Sequence, residues 1–216
     1  DPFPRTLKLI FSKNKFKKLK SSYKLIYTPK KHKKNFYSKN IHKATFIIGQ
    51  PDLPKELLIK AKKLKAVINV ESNFMNNMDY QYCFKKGIYV IATSPVFSKP
   101  VAEIALGMTL SLLRNIHNAH LDFIKGKEKY GLESNLKASL LSGKKIGLLG
   151  FGDLAKSLYP LLLPFTKDIN VYDPWIPKLN IQKLGFKSIS LNRMFESCEV
   201  IYLSLIHISE PTRHVD

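Results

Sequence analysis

The segment Lys144–Phe165, KKIGLLGFGDLAKSLYPLLLPF, decides the fold. Lys144–Leu149 is a short apolar run that predicts a buried strand. It leads into Gly150-Phe151-Gly152-Asp153-Leu154-Ala155, and Asp153–Leu163 then carries apolar residues at helical spacing. The first glycine permits a tight turn. The second lets backbone approach a pyrophosphate, and Ala155 in the third place keeps helix close to strand. The first turn of the helix presents unpaired N–H groups and the positive end of its dipole to a phosphate.

An acid completes the pattern. Asp168–Tyr172 predicts the next strand, and it ends in Asp173-Pro174. A carboxylate about 20 residues past the glycines accepts hydrogen bonds from the adenosine ribose hydroxyls. It also repels a 2′-phosphate, which favours NAD over NADP. The candidate cofactor contacts are Gly150, Phe151, Gly152, Asp153, Leu154 and Asp173. Ser98, three residues before Val101, is a further candidate, either reaching the cofactor or capping a helix.

The rest of the chain extends the same alternation. Thr6–Phe11, Tyr23–Tyr27, Ala44–Gly49, Ala66–Val70 and Ile88–Thr93 predict strands, and Leu53–Leu64 and Asp79–Lys86 predict helices, the latter ended by Gly87. The longest helix is expected over Lys99–Ile124, capped by Ser98, with Pro100 in its first turn and an apolar middle, Val101–Leu113, buried on several sides. Beyond the glycine turn, Ile181–Leu184 and Leu191–Ser197 predict helices, and Lys187–Ser190 and Val200–Leu203 strands. Strand–helix alternation implies parallel sheets flanked by helices.

Landmarks in this order resemble the D-isomer-specific 2-hydroxyacid dehydrogenases over about Ala44–Tyr202. KAVINVESNFMNNMDYQYCFKKGIYVIATSP (65–95) resembles the end of their substrate domain. PVAEIALGMTLSLLRNI (100–116) resembles their interdomain helix, LLSGKKIGLLGFGDLA (140–155) the entry to their NAD domain, and VYDP (171–174) their ribose acid. The resemblance implies two Rossmann-like domains: a flavodoxin-like, discontinuous substrate domain beginning in 1–98, and an NAD-binding domain with the interdomain helix in 99–202. It implies hydride transfer between NAD and C2 of a 2-hydroxy or 2-oxo acid, a small-acid substrate and a homodimer. The family's Arg, Glu and His act after the strand at Val200, so no catalytic residue is assigned here. The family's Gly-x-Gly loop, which meets the substrate carboxylate, has Ser72 and Phe74 in its place, and Ser72 and Asn73 are the candidate substrate contacts. Two alternatives remain: a catalytically inactive NAD-binding module of this fold, and an anion- or nucleic-acid-binding protein.

The tail departs from the family. Leu203–Arg213, LSLIHISEPTR, matches one reading frame of a transposon-type sequencing adapter, so 203–216 is expected to be non-native and the chain a fragment. Leu203–Leu205 also suit a strand. His207 and Arg213 are therefore not catalytic candidates.

Composition narrows the classes. The 216 residues are 44% hydrophobic, which argues against wholesale disorder. The net charge is +20, and residues 1–45 hold 13 Lys and one Arg against a single acid. Only 4 of the 36 basic residues are Arg. Nucleic-acid recognition leans on Arg forks as well, so a nucleic-acid partner is not expected; Lys13–Lys34 is the stretch for any anionic partner. No run of about 18 uncharged apolar residues occurs, so no membrane-spanning helix is expected. Cys83 and Cys198 have no partners for a metal or redox motif, and His117 and His120 lack metal-ligand company. Few cysteines and a soluble NAD chemistry suggest the cytoplasm.

Overall fold

The computed structural model describes residues 6–27, 35–70 and 76–204. The chain divides into two compact units, Asp1–Ser94 and Pro95–Asp216. That division falls four residues ahead of the expected boundary at 98.

The first unit runs α1 (Leu7–Ile10), α2 (Lys13–Ser22), α3 (Phe36–Asn40), β1 (Phe46–Gly49), α4 (Lys55–Leu58), β2 (Ala66–Asn69), α5 (Tyr80–Lys85) and β3 (Tyr89–Ala92). Its sheet is parallel, in the order β1-β2-β3. Ile47 and Val67 pack with Leu53, Leu58, Cys83 and Ile88 on one face. Asp79 caps α5 by accepting the Tyr82 N–H at 2.8 Å, and Gly87 ends it at φ +68°.

Three expectations fail in this unit. Thr6–Phe11 is not a strand, because Leu7–Ile10 closes a helical turn. Tyr23–Tyr27 joins no ladder; it follows α2, whose N-cap Ser12 accepts the Lys15 N–H. Both segments have strand-like composition, but neither pairs with a strand among the described residues: Thr6–Phe11 takes local turn hydrogen bonds, and Tyr23–Tyr27 is irregular. Leu53–Leu64 forms only the single turn α4, although Leu53, Leu58, Ala61 and Leu64 are all buried as their spacing implied.

The second unit runs α6 (Ser94–Leu113), α7 (Ile116–Ile124), α8 (Gly131–Asn135), β4 (Ile146–Leu149), α9 (Asp153–Leu162), β5 (Ile169–Tyr172), α10 (Lys178–Lys183), β6 (Lys187–Ser188), α11 (Leu191–Ser197) and β7 (Val200–Leu203). All four strands are parallel, in the order β6-β5-β4-β7. This is the first half of the doubly wound Rossmann order, with the switch point between β4 and β7. Central β4 is buried at every residue. Ile146 and Leu148 face α9 and α6, while Leu149 faces Ile189 and Met194. Gly147 makes room for α11: a Cβ there would stand 2.8 Å from Met194 Cγ.

The long helix also departs from expectation. It begins at Ser94, so Ser98 lies inside it rather than at its cap, and it continues through Pro100. It breaks after Leu113, where Asn115 adopts φ +56° and Asn118 Nδ2 donates to Asn115 Oδ1 at 2.6 Å. Asn accepts that left-handed conformation more readily than most residues. The helix is not buried on several sides. Ala102, Ala105, Leu106, Leu110 and Leu113 pack against the core, while Ile104, Met108 and Leu112 are exposed. By length and composition Pro95–Leu113 also qualifies as a spanning helix, contrary to the expectation of none. Lys99, Glu103 and the packed stripe on Ala102 fit a surface helix of an α/β domain better.

Candidate functional site

The site lies at the carboxyl ends of β4 and β5. Ile146 pairs with Ile169 and Leu149 with Tyr172, which brings the glycine turn beside Asp173. Gly150 takes φ +98°, a left-handed value that favours glycine. Phe151 is fully buried, its ring edge-on to Phe186 at 4.5 Å, and Phe186 in turn meets Tyr159 at 4.6 Å. That cluster seats the turn on the core.

Asp173 holds the turn from the other side. Its Oδ2 accepts the Phe151 N–H at 2.7 Å. Its Oδ1 accepts the N–H groups of Trp175 at 2.8 Å and Ile176 at 2.9 Å. The carboxylate is thus fixed at the strand end, with one Oδ2 lone pair left for a further donor.

Gly152 is the N-cap of α9, and no side chain caps that helix. Its φ of −79° suits any residue, and a Cβ added there meets nothing within 4 Å. Neither backbone conformation nor internal packing requires glycine at 152. Close approach by a phosphate to the open first turn does supply a reason. Gly152 and Asp153 are exposed, Leu154 is half-buried and Ala155 is buried against the core. The residues present therefore fit a dinucleotide: N–H donors at a helix N-terminus, no blocking side chain, and an anchored acid on the ribose side. Asp153 brings its own negative charge to the first turn, so its backbone, not its carboxylate, suits a pyrophosphate.

A small cavity at the switch point is lined by Ala105, Leu148, Ala155, Leu158, Tyr202 and Ser204, among others. The Ser204 N–H donates to the Leu149 carbonyl at 2.9 Å, and its Oγ lies 3.1 Å from the Gly150 carbonyl. Ser204 falls in Leu203–Leu205, which suits a strand as well as the tail, and here it extends the ladder of β7 beside the turn. No spacing signal marked Phe186 either, because its role is a tertiary ring contact.

Ser98 is corrected. It is buried on α6, its Oγ donates to the Pro95 carbonyl at 2.9 Å, and Ser157 Oγ on α9 donates to it at 3.0 Å. Its hydroxyl ties two helices together and does not cap α6. Ser72 and Asn73 lie outside the described residues. Among the described residues no three His, Cys, Asp or Glu side chains gather to hold a metal ion.

Residues 106–215 match the D-isomer specific 2-hydroxyacid dehydrogenase, NAD binding domain family. The chain belongs to this family. Among curated relatives, it is 31% identical over 158 residues to a hydroxypyruvate reductase of Thermotoga maritima, covering 73% of this chain and 49% of that one. It is 28% identical over 162 residues to a D-3-phosphoglycerate dehydrogenase of Methanocaldococcus jannaschii, covering 74% and 30%. A phosphoglycerate oxidoreductase from Rhizobium etli superposes with TM-score 0.78 at 39% identity, over 94% of this chain and 63% of that one. The chain therefore spans half or less of the length of these two curated relatives.

Proposed function

We propose that the protein is an NAD-dependent oxidoreductase acting on the CH–OH group of a D-2-hydroxy acid, working in the reducing direction on a 2-oxo acid. One observation carries this reading: the Asp173 carboxylate is bound to the Phe151 N–H beside the uncapped N-terminus of α9. Bound there, NAD supplies the hydride acceptor or donor. The chain's own residues bind and orient it. The first turn of α9 receives the pyrophosphate, Gly152 leaves room for it, and Asp173 selects an unphosphorylated ribose.

The substrate carboxylate belongs at Ser72 and Asn73. Residues 1–94 belong to the first part of the substrate domain, and the long helix from Ser94 leads into the NAD domain. We assign a homodimer to the apolar faces of α6 and α7, where Ile104, Met108, Leu112 and Ile116 are each more than half exposed. Two free thiols suit a reducing cytoplasm.

The test is NADH titration followed by turnover. Binding is expected to quench protein fluorescence and to be much tighter for NADH than for NADPH. The intact protein is expected to consume NADH at 340 nm with one of glyoxylate, hydroxypyruvate or a bulkier 2-oxo acid. Equal affinity for NADH after Gly152→Val and Asp173→Ala would falsify the assignment. Binding without turnover of any 2-oxo acid would favour an inactive NAD-binding module.

A further inference from the structure

The first unit contains a cavity unrelated to the glycine turn. The sheet's core lies on the face of Ile47 and Val67, so Phe46, Ile48 and Ile68 project from the opposite face. A parallel sheet is ordinarily covered on both faces. Leu7, Ile10, Phe11, Phe16 and Leu19, in and beside α1 and α2, line a space together with Phe46, Ile48 and Ile68 of that face. A cavity of about 570 Å³ remains between them. That is within the roughly 300–1,000 Å³ range of small-molecule sites.

Its chemistry is lopsided. The walls are mostly aliphatic and aromatic, and the charged residues that line it are Lys24 and Lys43. Both lysines are exposed, so their stems line the cavity while their ammonium groups reach water. No Asp or Glu occurs from residue 6 to residue 51, so the stretch that supplies most of the lining carries positive charge alone. Along α2, Lys13, Lys15, Lys17, Lys18 and Lys20 add to it, with Lys20 Nζ 4.8 Å from the Phe16 ring centroid. The Tyr37 hydroxyl, in the wall, is pushed up to about 12 by burial.

An apolar chamber with a cationic rim fits an apolar chain with an anionic head. We propose that this cavity binds one free long-chain carboxylate, its chain between α2 and the sheet and its head group beside Lys24 and Lys43. The limited volume suits a single chain rather than a bilayer surface.

The probe is a dansyl-labelled undecanoic acid, titrated into the full chain and followed by dansyl emission. Saturable binding at one site is expected, with displacement by hexadecanoate and much weaker displacement by hexadecanol. Ile48→Trp fills the chamber from a partly exposed position and is expected to weaken the probe at least about tenfold, near 1.4 kcal/mol. Lys24→Glu with Lys43→Glu changes only exposed side chains, so it tests the head-group contact even if the tryptophan variant folds poorly; a similar loss is expected. Far-UV circular dichroism confirms that each variant is folded. Absence of saturable binding, equal competition by hexadecanol, or unchanged affinity in both variants overturns the proposal. So does binding to phosphatidylglycerol vesicles with no binding of the free acid, which would assign the lysines to a membrane surface.

Discussion

Asp173 and Phe151 lie 22 residues apart in sequence, yet the carboxylate of one accepts the backbone N–H of the other at 2.7 Å. This bond makes the ribose-side acid part of the glycine turn itself. Because the same carboxylate also accepts the Trp175 and Ile176 N–H groups, one side chain organises both loops at the ends of β4 and β5.

Asp173→Ala should therefore cost stability as well as binding. Hydrogen bonds to a charged group are worth about 1.5–3 kcal/mol each, and they do not add when they share an acceptor. A loss of about 2 kcal/mol or more in urea unfolding is expected, with NADH affinity reduced and the preference for NADH over NADPH narrowed. Urea melts and paired cofactor titrations separate the two effects.

Gly152→Val should behave in the opposite way. The φ of −79° is ordinary and the space beside Gly152 is open, so the stability cost should be limited to the poorer N-cap, about 1 kcal/mol. Cofactor affinity should fall at least about tenfold, because the new branches occupy the approach to α9. A thermal melt alongside an NADH titration checks both.

Asp153→Asn is expected to strengthen cofactor binding. It removes a negative charge from the first turn of α9 while keeping its backbone donors. The gain should be a few-fold and should shrink as salt is added, which titrations at two ionic strengths will read.

Gly147→Ala should destabilise the second unit by about 1–3 kcal/mol through overpacking, since the added Cβ meets Met194 Cγ at 2.8 Å and Sδ at 2.9 Å. Combining it with Met194→Ala should return part of that loss. A double-mutant cycle in urea shows the coupling.

Acid should loosen the junction of β4 and β7. Lys144 Nζ, at 2.8 Å, and the Lys145 N–H, at 3.0 Å, donate to the two Glu199 oxygens and hold its carboxyl below the usual glutamate range. The native state then binds the proton less readily than the unfolded chain. The contribution is complete above the ordinary glutamate value of about 4.3 and is lost as pH falls through the lowered one. Glu199→Gln should remove that slice of acid sensitivity, seen as a flatter melting-temperature profile on acidification.

Local sequence determined most of the second unit. The run Ile146–Leu149, the turn Gly150–Ala155, the helix from Asp153 and the acid Asp173 were legible because strand period, glycine chemistry and helix spacing are properties of short segments. Leu191–Ser197 and Val200–Leu203 match their expected bounds for the same reason. Tertiary structure decided the rest. Thr6–Phe11 and Tyr23–Tyr27 have strand-like composition, but a strand exists only where a neighbour pairs with it, and none does. Ser98 looked like a cap from its place before Pro100, and only the position of Ser157 on α9 showed where its hydroxyl goes. The apolar stretch Val101–Leu113 showed that a helix would form but not which of its sides the core would take. The Phe151–Phe186 contact and the room made at Gly147 for Met194 likewise depend on which elements meet. Short-range patterns write secondary structure and turn chemistry into the sequence, whereas burial and side-chain partners arise between segments far apart in the chain.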